Sequence, residues 1–135
     1  MSLNHYERAR AAYEQTKKET ISPIQVALLL VRQVERGIDQ LDRARFIQDE
    51  RLIDTTLRDL QFVTFELLGL VDPSTEGGLR LYQLYAVWNR TFARMRIERT
   101  FDDVAELREQ VGDVKASWED ALRKQRHEWL RRGTL

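Results

Sequence analysis

Cysteine is absent from the 135-residue chain, and that absence removes disulfides, thiolate metal sites and thiol nucleophiles together. It is compatible with a reducing compartment without requiring one. Proline and glycine are scarce, at 2 and 6 residues, so few positions favour a helix break or a left-handed turn. Net charge is lacking as well. The 22 basic residues cancel the 22 acidic ones, leaving no overall field to draw the chain to nucleic acid or an anionic bilayer. No apolar run approaches the roughly 18 residues of a spanning helix. The opening Met1-Ser2-Leu3-Asn4 lacks the basic-then-apolar order of a secretory signal. The expectation is one cytoplasmic domain over residues 1–135, with no nucleic-acid partner and no membrane insertion.

Catalytic patterns are missing too. The only histidines are His5 and His127, and the residues three before them are Ser2 and Lys124, so the Glu-x-x-His pairs of a di-iron bundle cannot form. His127 reads as part of a solvated basic face. The four serines have no accompanying His and carboxylate pattern, and Gly77-Gly78 is too isolated for a phosphate loop. Asp102-Asp103 are ordinary partners for a helix dipole at a first turn. No enzymatic activity, metal or cofactor is expected.

What the chain does contain is helical periodicity. Ser22-Pro23 with Gln25 forms a capping box with proline at the first helical position. Asp72-Pro73-Ser74 with Gly77-Gly78 is the one strong loop signal. Thr100, with Asp103 three residues on, predicts a softer cap before a further helix, and Gln48-Asp49 marks a break with almost no local signal. These boundaries predict helices over about 24–46, 50–70, 76–98 and 101–130, after a shorter one around 5–16. In the last, Val104, Leu107, Val111, Val114, Trp118 and Leu122 step down one seam. Residues 101–120 carry seven acidic and two basic groups, whereas 121–135 carry five basic and one acidic, in the order the helix dipole favours. Short connections force neighbours to reverse direction. The predicted fold is all-α: an antiparallel four-helix bundle over 23–132, with an additional N-terminal helix and linker in 1–22.

Two helices carry more apolar surface than one core-facing stripe needs. Val26 to Val31 are six consecutive apolar residues, which at about 100° each surround the helix. Between Leu79 and Trp88 only Arg80 and Gln83 are polar. Such helices need cover on their outer side. Either the N-terminal helix, with Tyr6 and Tyr13, packs across them permanently, or a foreign amphipathic helix docks with Tyr82, Tyr85 and Trp88 as aromatic anchors. Both hold in turn if a partner displaces the N-terminal segment.

Ala12-Tyr13-Glu14-Gln15 followed by Thr20-Ile21-Ser22-Pro23, the Leu28-Leu29-Leu30 run, Gly77-Gly78, Leu81-Tyr82-Gln83-Leu84-Tyr85 and Ser117-Trp118-Glu119-Asp120-Ala121 occur in an order and spacing that resembles the flagellin export chaperones, the FliS family. The chain departs from that pattern at Val31-Arg32-Gln33, where an aromatic-Asp-Gly triplet is common, at Ala86-Val87-Trp88 in place of Asp-Tyr-Met, and at Met95-Arg96 in place of Ala-Asn. The resemblance implies a five-helix cytosolic chaperone. It would bind the disordered C-terminal segment of flagellin, prevent premature polymerisation and aid delivery to the flagellar type III secretion apparatus. Export-gate components or a co-chaperone are further partners it implies, and Tyr13 would lie over part of the client groove. The partner-binding candidates are Tyr13, Leu28, Val31, Leu81, Tyr82, Tyr85 and Trp88. The competing expectation is a helical adaptor or self-associating bundle, monomeric or weakly homodimeric, with a different amphipathic partner.

Overall fold

The computed structural model describes Glu7, Arg8 and residues 22–133, and among them the only regular structure is helical. Four long helices follow in order: α1 Pro23–Phe46, α2 Glu50–Leu70, α3 Glu76–Glu98 and α4 Val104–Arg131. Glu7 and Arg8 are helical and exposed; the rest of the expected helix around 5–16 lies outside the described residues.

The first three helices each begin on a local side-chain cap. At the start of α1 the Ser22 hydroxyl accepts from the Gln25 amide at 3.2 Å while the Gln25 side chain accepts from the Ser22 amide at 3.1 Å. Two of the amides that the helix end leaves without partners are satisfied in this way. The α1–α2 link is a Schellman turn. Gln48 takes a left-handed φ of 57°, its amide donates to Arg45 and the Asp49 amide donates to Ala44. Asp49 then caps α2 by accepting from the Leu52 amide at 3.0 Å. A glutamine stands where glycine is usual, which is why this break is faint in the sequence.

The α2–α3 link is held by Asp72. Its carboxylate accepts from the Ser74 hydroxyl at 2.6 Å and the Ser74 amide at 2.9 Å, and these two bonds hold the carboxyl below the usual carboxylate range. Thr75 caps α3 by accepting from the Gly78 amide at 3.0 Å, so Gly77-Gly78 belong to the first helical turn and not to the loop. The last helix starts later than the predicted 101. Asp103 occupies the cap position without making a cap bond, because its carboxylate is ion-paired to Arg94 of α3. Phe101 lies beneath the Arg45 guanidinium, 4.5 Å from ring centroid to carbon, which keeps it out of the helix.

Cross-helix bonds give the topology. Arg32 meets Glu119 and Glu35 meets Lys115, so α1 and α4 run antiparallel. Arg96 meets Asp54 and Asn89 meets Thr64, so α2 and α3 do too. α1 lies against α2 and α4, and α2 against α3, while the backbones of α3 and α4 stand farther apart. The core is assembled from one stripe of each helix: Val31, Val34, Ile38 and Leu41; Ile53, Leu57, Leu60 and Leu67; Tyr85, Trp88, Phe92 and Met95; and Val104, Leu107, Val111 and Val114. Burying each such side chain contributes about 1.5–3 kcal/mol before ordering costs. The buried hydroxyls of Thr64 and Thr91 donate to carbonyls one turn back, at 2.9 and 2.7 Å, so the core carries them without unsatisfied polar atoms.

Gly77 and Gly78 make a paired stability test. A Cβ on Gly78 would lie 1.9 Å from the Asp72 carbonyl oxygen, whereas one on Gly77 meets nothing within 4 Å. Gly78→Ala should therefore lower unfolding stability by about 1–3 kcal/mol. Gly77→Ala should raise it by a few tenths to about 1 kcal/mol through the unfolded chain. Denaturant midpoints check both, and equal effects would contradict the close approach of the link to α3.

Candidate functional site

The residues singled out from the sequence separate by depth once the helices are packed. Val31, Tyr85 and Trp88 are wholly buried in the core. As surface anchors they are corrected: Val31 belongs to the core stripe of α1, and the α3–α4 seam consumes Tyr85 and Trp88. Trp88 Nε1 donates to Gln110 Oε1 and Trp118 Nε1 donates to Tyr85 Oη, each at 3.0 Å. The Tyr85 and Trp88 rings sit 5.2 Å apart at 55°, a tilted pairing that favours both quadrupoles. Burial pushes the Tyr85 phenol above its ordinary range, partly opposed by the bond from Trp118.

Of the other candidates, Leu28 is also buried and is likewise corrected as an exposed anchor, Leu81 is half-buried against the core, and Tyr82 is 39% exposed. Tyr13 lies outside the described residues. The apolar surplus is therefore partly absorbed and partly real. From Val26 to Val31 only Leu29 faces out, at 50% exposure. From Leu79 to Trp88 the side chains of Leu79, Tyr82 and Val87 remain at the surface.

Four apolar surfaces result. Leu79 and Tyr82 lie one turn apart on the outer side of α3. Tyr82 leans toward α2, because Asn89, seven residues on, reaches the Gln61 carbonyl at 2.8 Å and Thr64 Oγ1 at 2.9 Å. Between the start of α1 and the end of α4 is a groove of about 300 Å³ lined by Gln25, Val26, Leu28, Leu29, Arg32, Leu122 and Arg126. A second cleft of about 200 Å³ opens between α3 and α4, where Val87 and Leu107 meet the polar side chains of Thr91, Asp103 and Gln110. At the opposite end of the bundle Phe46, 89% exposed, Ile47 and Ile97 face out.

Leu29, Leu79 and Leu122 are not among the partner-binding candidates drawn from the sequence, although the structure leaves them at the surface or the groove. Their signal is present, since Gln25, Leu29 and Arg32 form an i, i+4, i+7 stripe and Leu122 and Arg126 an i, i+4 pair. Which stripe faces outward is decided by the partner helix. Chemically these surfaces can bury apolar side chains. Among the described residues no group of three or more His, Cys, Asp or Glu is placed to hold a metal ion, and no helix is long and apolar enough to cross a membrane.

Removing the Tyr85 hydroxyl tests the α3–α4 seam. Tyr85→Phe deprives the Trp118 N–H of its acceptor and should lower stability by about 1–2 kcal/mol, or Tm by roughly 3–6 °C. Because the folded phenol holds its proton above the ordinary value of 10.0, its contribution is complete below pH 10 and is lost as pH rises past it. Thermal melts between pH 9 and 11 should therefore fall less steeply for Tyr85→Phe than for the parent; parallel curves would show that the phenol is not buried. No family model matches the chain, and no curated protein matches it in sequence.

Proposed function

We propose that the protein is a non-catalytic cytosolic export chaperone that binds the C-terminal segment of flagellin, prevents its premature polymerisation and aids its delivery to the flagellar type III export apparatus. The observation that carries this reading is the division of labour within Leu81-Tyr82-Gln83-Leu84-Tyr85. Tyr85 is core and Leu81 and Leu84 pack at its margin, whereas Tyr82 and the preceding Leu79 remain outside. The part of the motif that resembles the family thus builds the bundle and leaves an aromatic and an aliphatic side chain for a client.

The physical logic is short-range. A disordered segment with apolar faces gains about 25 cal/mol per Å² of apolar surface buried, reduced by the cost of ordering it. A bundle with apolar residues already displayed on rigid helices supplies that surface without reorganising. Support also comes from helix boundaries that fall where the resemblance places them: the capping box at Ser22-Pro23 opens α1 and Gly77-Gly78 sit in the first turn of α3.

Calorimetry with the C-terminal segment of flagellin from the same organism tests the proposal. The expected result is a one-to-one complex at micromolar concentration, weakened about 30-fold or more by Tyr82→Asp. No heat and no complex would overturn it. A free protein that sediments as a dimer and becomes monomeric with Tyr82→Asp would replace it by self-association through α3.

A further inference from the structure

The seam between α1 and α4 changes character along its length. Across its lower part each cation of α4 faces acids of α1: Arg108 pairs with Asp39 and Asp42, and Lys115 with Glu35 at 2.8 Å. The last rung is Arg32 with Glu119 at 3.3 Å. Beyond it the ladder stops and the groove of about 300 Å³ begins.

That groove is apolar and electropositive at once. Of its seven lining residues four are aliphatic, two are arginines and none is acidic. The first nine residues of α1, Pro23 to Val31, carry no charge, whereas α4 beyond Asp120 is predominantly basic. Arg123 and Lys124 share Asp120, and Arg132 holds Glu128; Arg126 has no acidic partner among the described residues. Arg32 places only Nη2 on Glu119, in an exposed and therefore weak pair. Its remaining N–H donors stay available.

The spacing of these groups defines an occupant. On α1, Gln25, Leu29 and Arg32 lie on one stripe, and on α4 Leu122 and Arg126 lie on another. Antiparallel packing sets Arg126 toward the Gln25 end and Arg32 at the other, with Leu29 and Leu122 between. Seven residues of helix separate Gln25 from Arg32, about 10 Å at 1.5 Å per residue.

We propose that this groove docks a short amphipathic helix of a protein partner, its aliphatic side chains against Leu29 and Leu122 and two carboxylates seven residues apart on Arg32 and Arg126. The apolar floor supplies the affinity and the two guanidinium groups set direction and register. The site is separate from the outer face of α3 and does not rest on flagellin as the client.

A synthetic alanine-based helical peptide is the probe, with two adjacent leucines flanked by glutamates seven residues apart, alongside twins carrying glutamine or lysine in place of glutamate. Fluorescence anisotropy with the full-length protein at low salt should show the glutamate peptide binding about fivefold to tenfold more tightly than the glutamine twin. The preference should shrink as salt is added. Arg126→Glu, at an exposed position and checked for folding by circular dichroism, should reverse it in favour of the lysine twin. Methyl shifts confined to Leu29 and Leu122 would locate the contact. The proposal is overturned by no binding, by equal affinity for the glutamate and glutamine peptides, or by an unchanged preference in Arg126→Glu. It is likewise overturned if contacts from residues 1–21 already fill the groove in the free protein, or if the groove proves to be a dimer interface that Arg126→Glu dissolves.

Discussion

Two indole N–H groups govern how the bundle closes. A buried donor without an acceptor is costly, so Trp88 and Trp118 must each find one across the seam, and they find Gln110 and Tyr85. These bonds fix the register of α3 against α4 and hold the two backbones apart by the width of the aromatic rings. The cleft beside Val87 and Leu107 follows from that width. So does the burial of Tyr85 and Trp88, which would otherwise be the largest aromatic features of the outer surface.

Charge is used differently on each seam. α1 and α4 are joined by a ladder of partly exposed ion pairs, in which Arg108 bridges Asp39 and Asp42 and Lys115 holds Glu35. Hydrogen bonding to these carboxylates raises both cations above their ordinary pKa values. α2 and α3 are joined by Arg96, which reaches Asp54 at 3.2 Å and Gln61 at 3.0 Å. Exposed pairs of this kind contribute little each, but their alternation penalises a slipped register, since a shift by one turn sets like charges together. About half of the charges are paired within the molecule in this way, and at the groove beyond the α1–α4 ladder the surplus is basic.

Much of this was legible in the sequence. Predicted helices over 24–46, 50–70 and 76–98 correspond to Pro23–Phe46, Glu50–Leu70 and Glu76–Glu98, because capping residues and apolar periodicity act locally. The start of α4 was not, since Asp103 answers to Arg94, which is remote in sequence terms from its own turn. Depth was the other failure. Tyr82 and Tyr85 are both aromatic and three residues apart, yet one is exposed and the other is core, and only the position of α4 decides between them. The same reason hides the groove, whose floor is Leu29 from one helix and Leu122 from another.

The α1–α4 ladder also bears on how the chain reaches this form. Its pairs join residues 66 to 87 positions apart, whereas α1 with α2, and α2 with α3, meet across connections of three to five residues. Local hairpins close quickly and distant contacts slowly. During synthesis α4 emerges after the other three described helices, so the side of α1 that faces α4 in the finished bundle stays uncovered until it arrives. The nascent three-helix stage therefore lacks the aliphatic stripe of Val104, Leu107, Val111 and Val114 that completes the core, and the ion pairs add register to a closure that apolar burial drives.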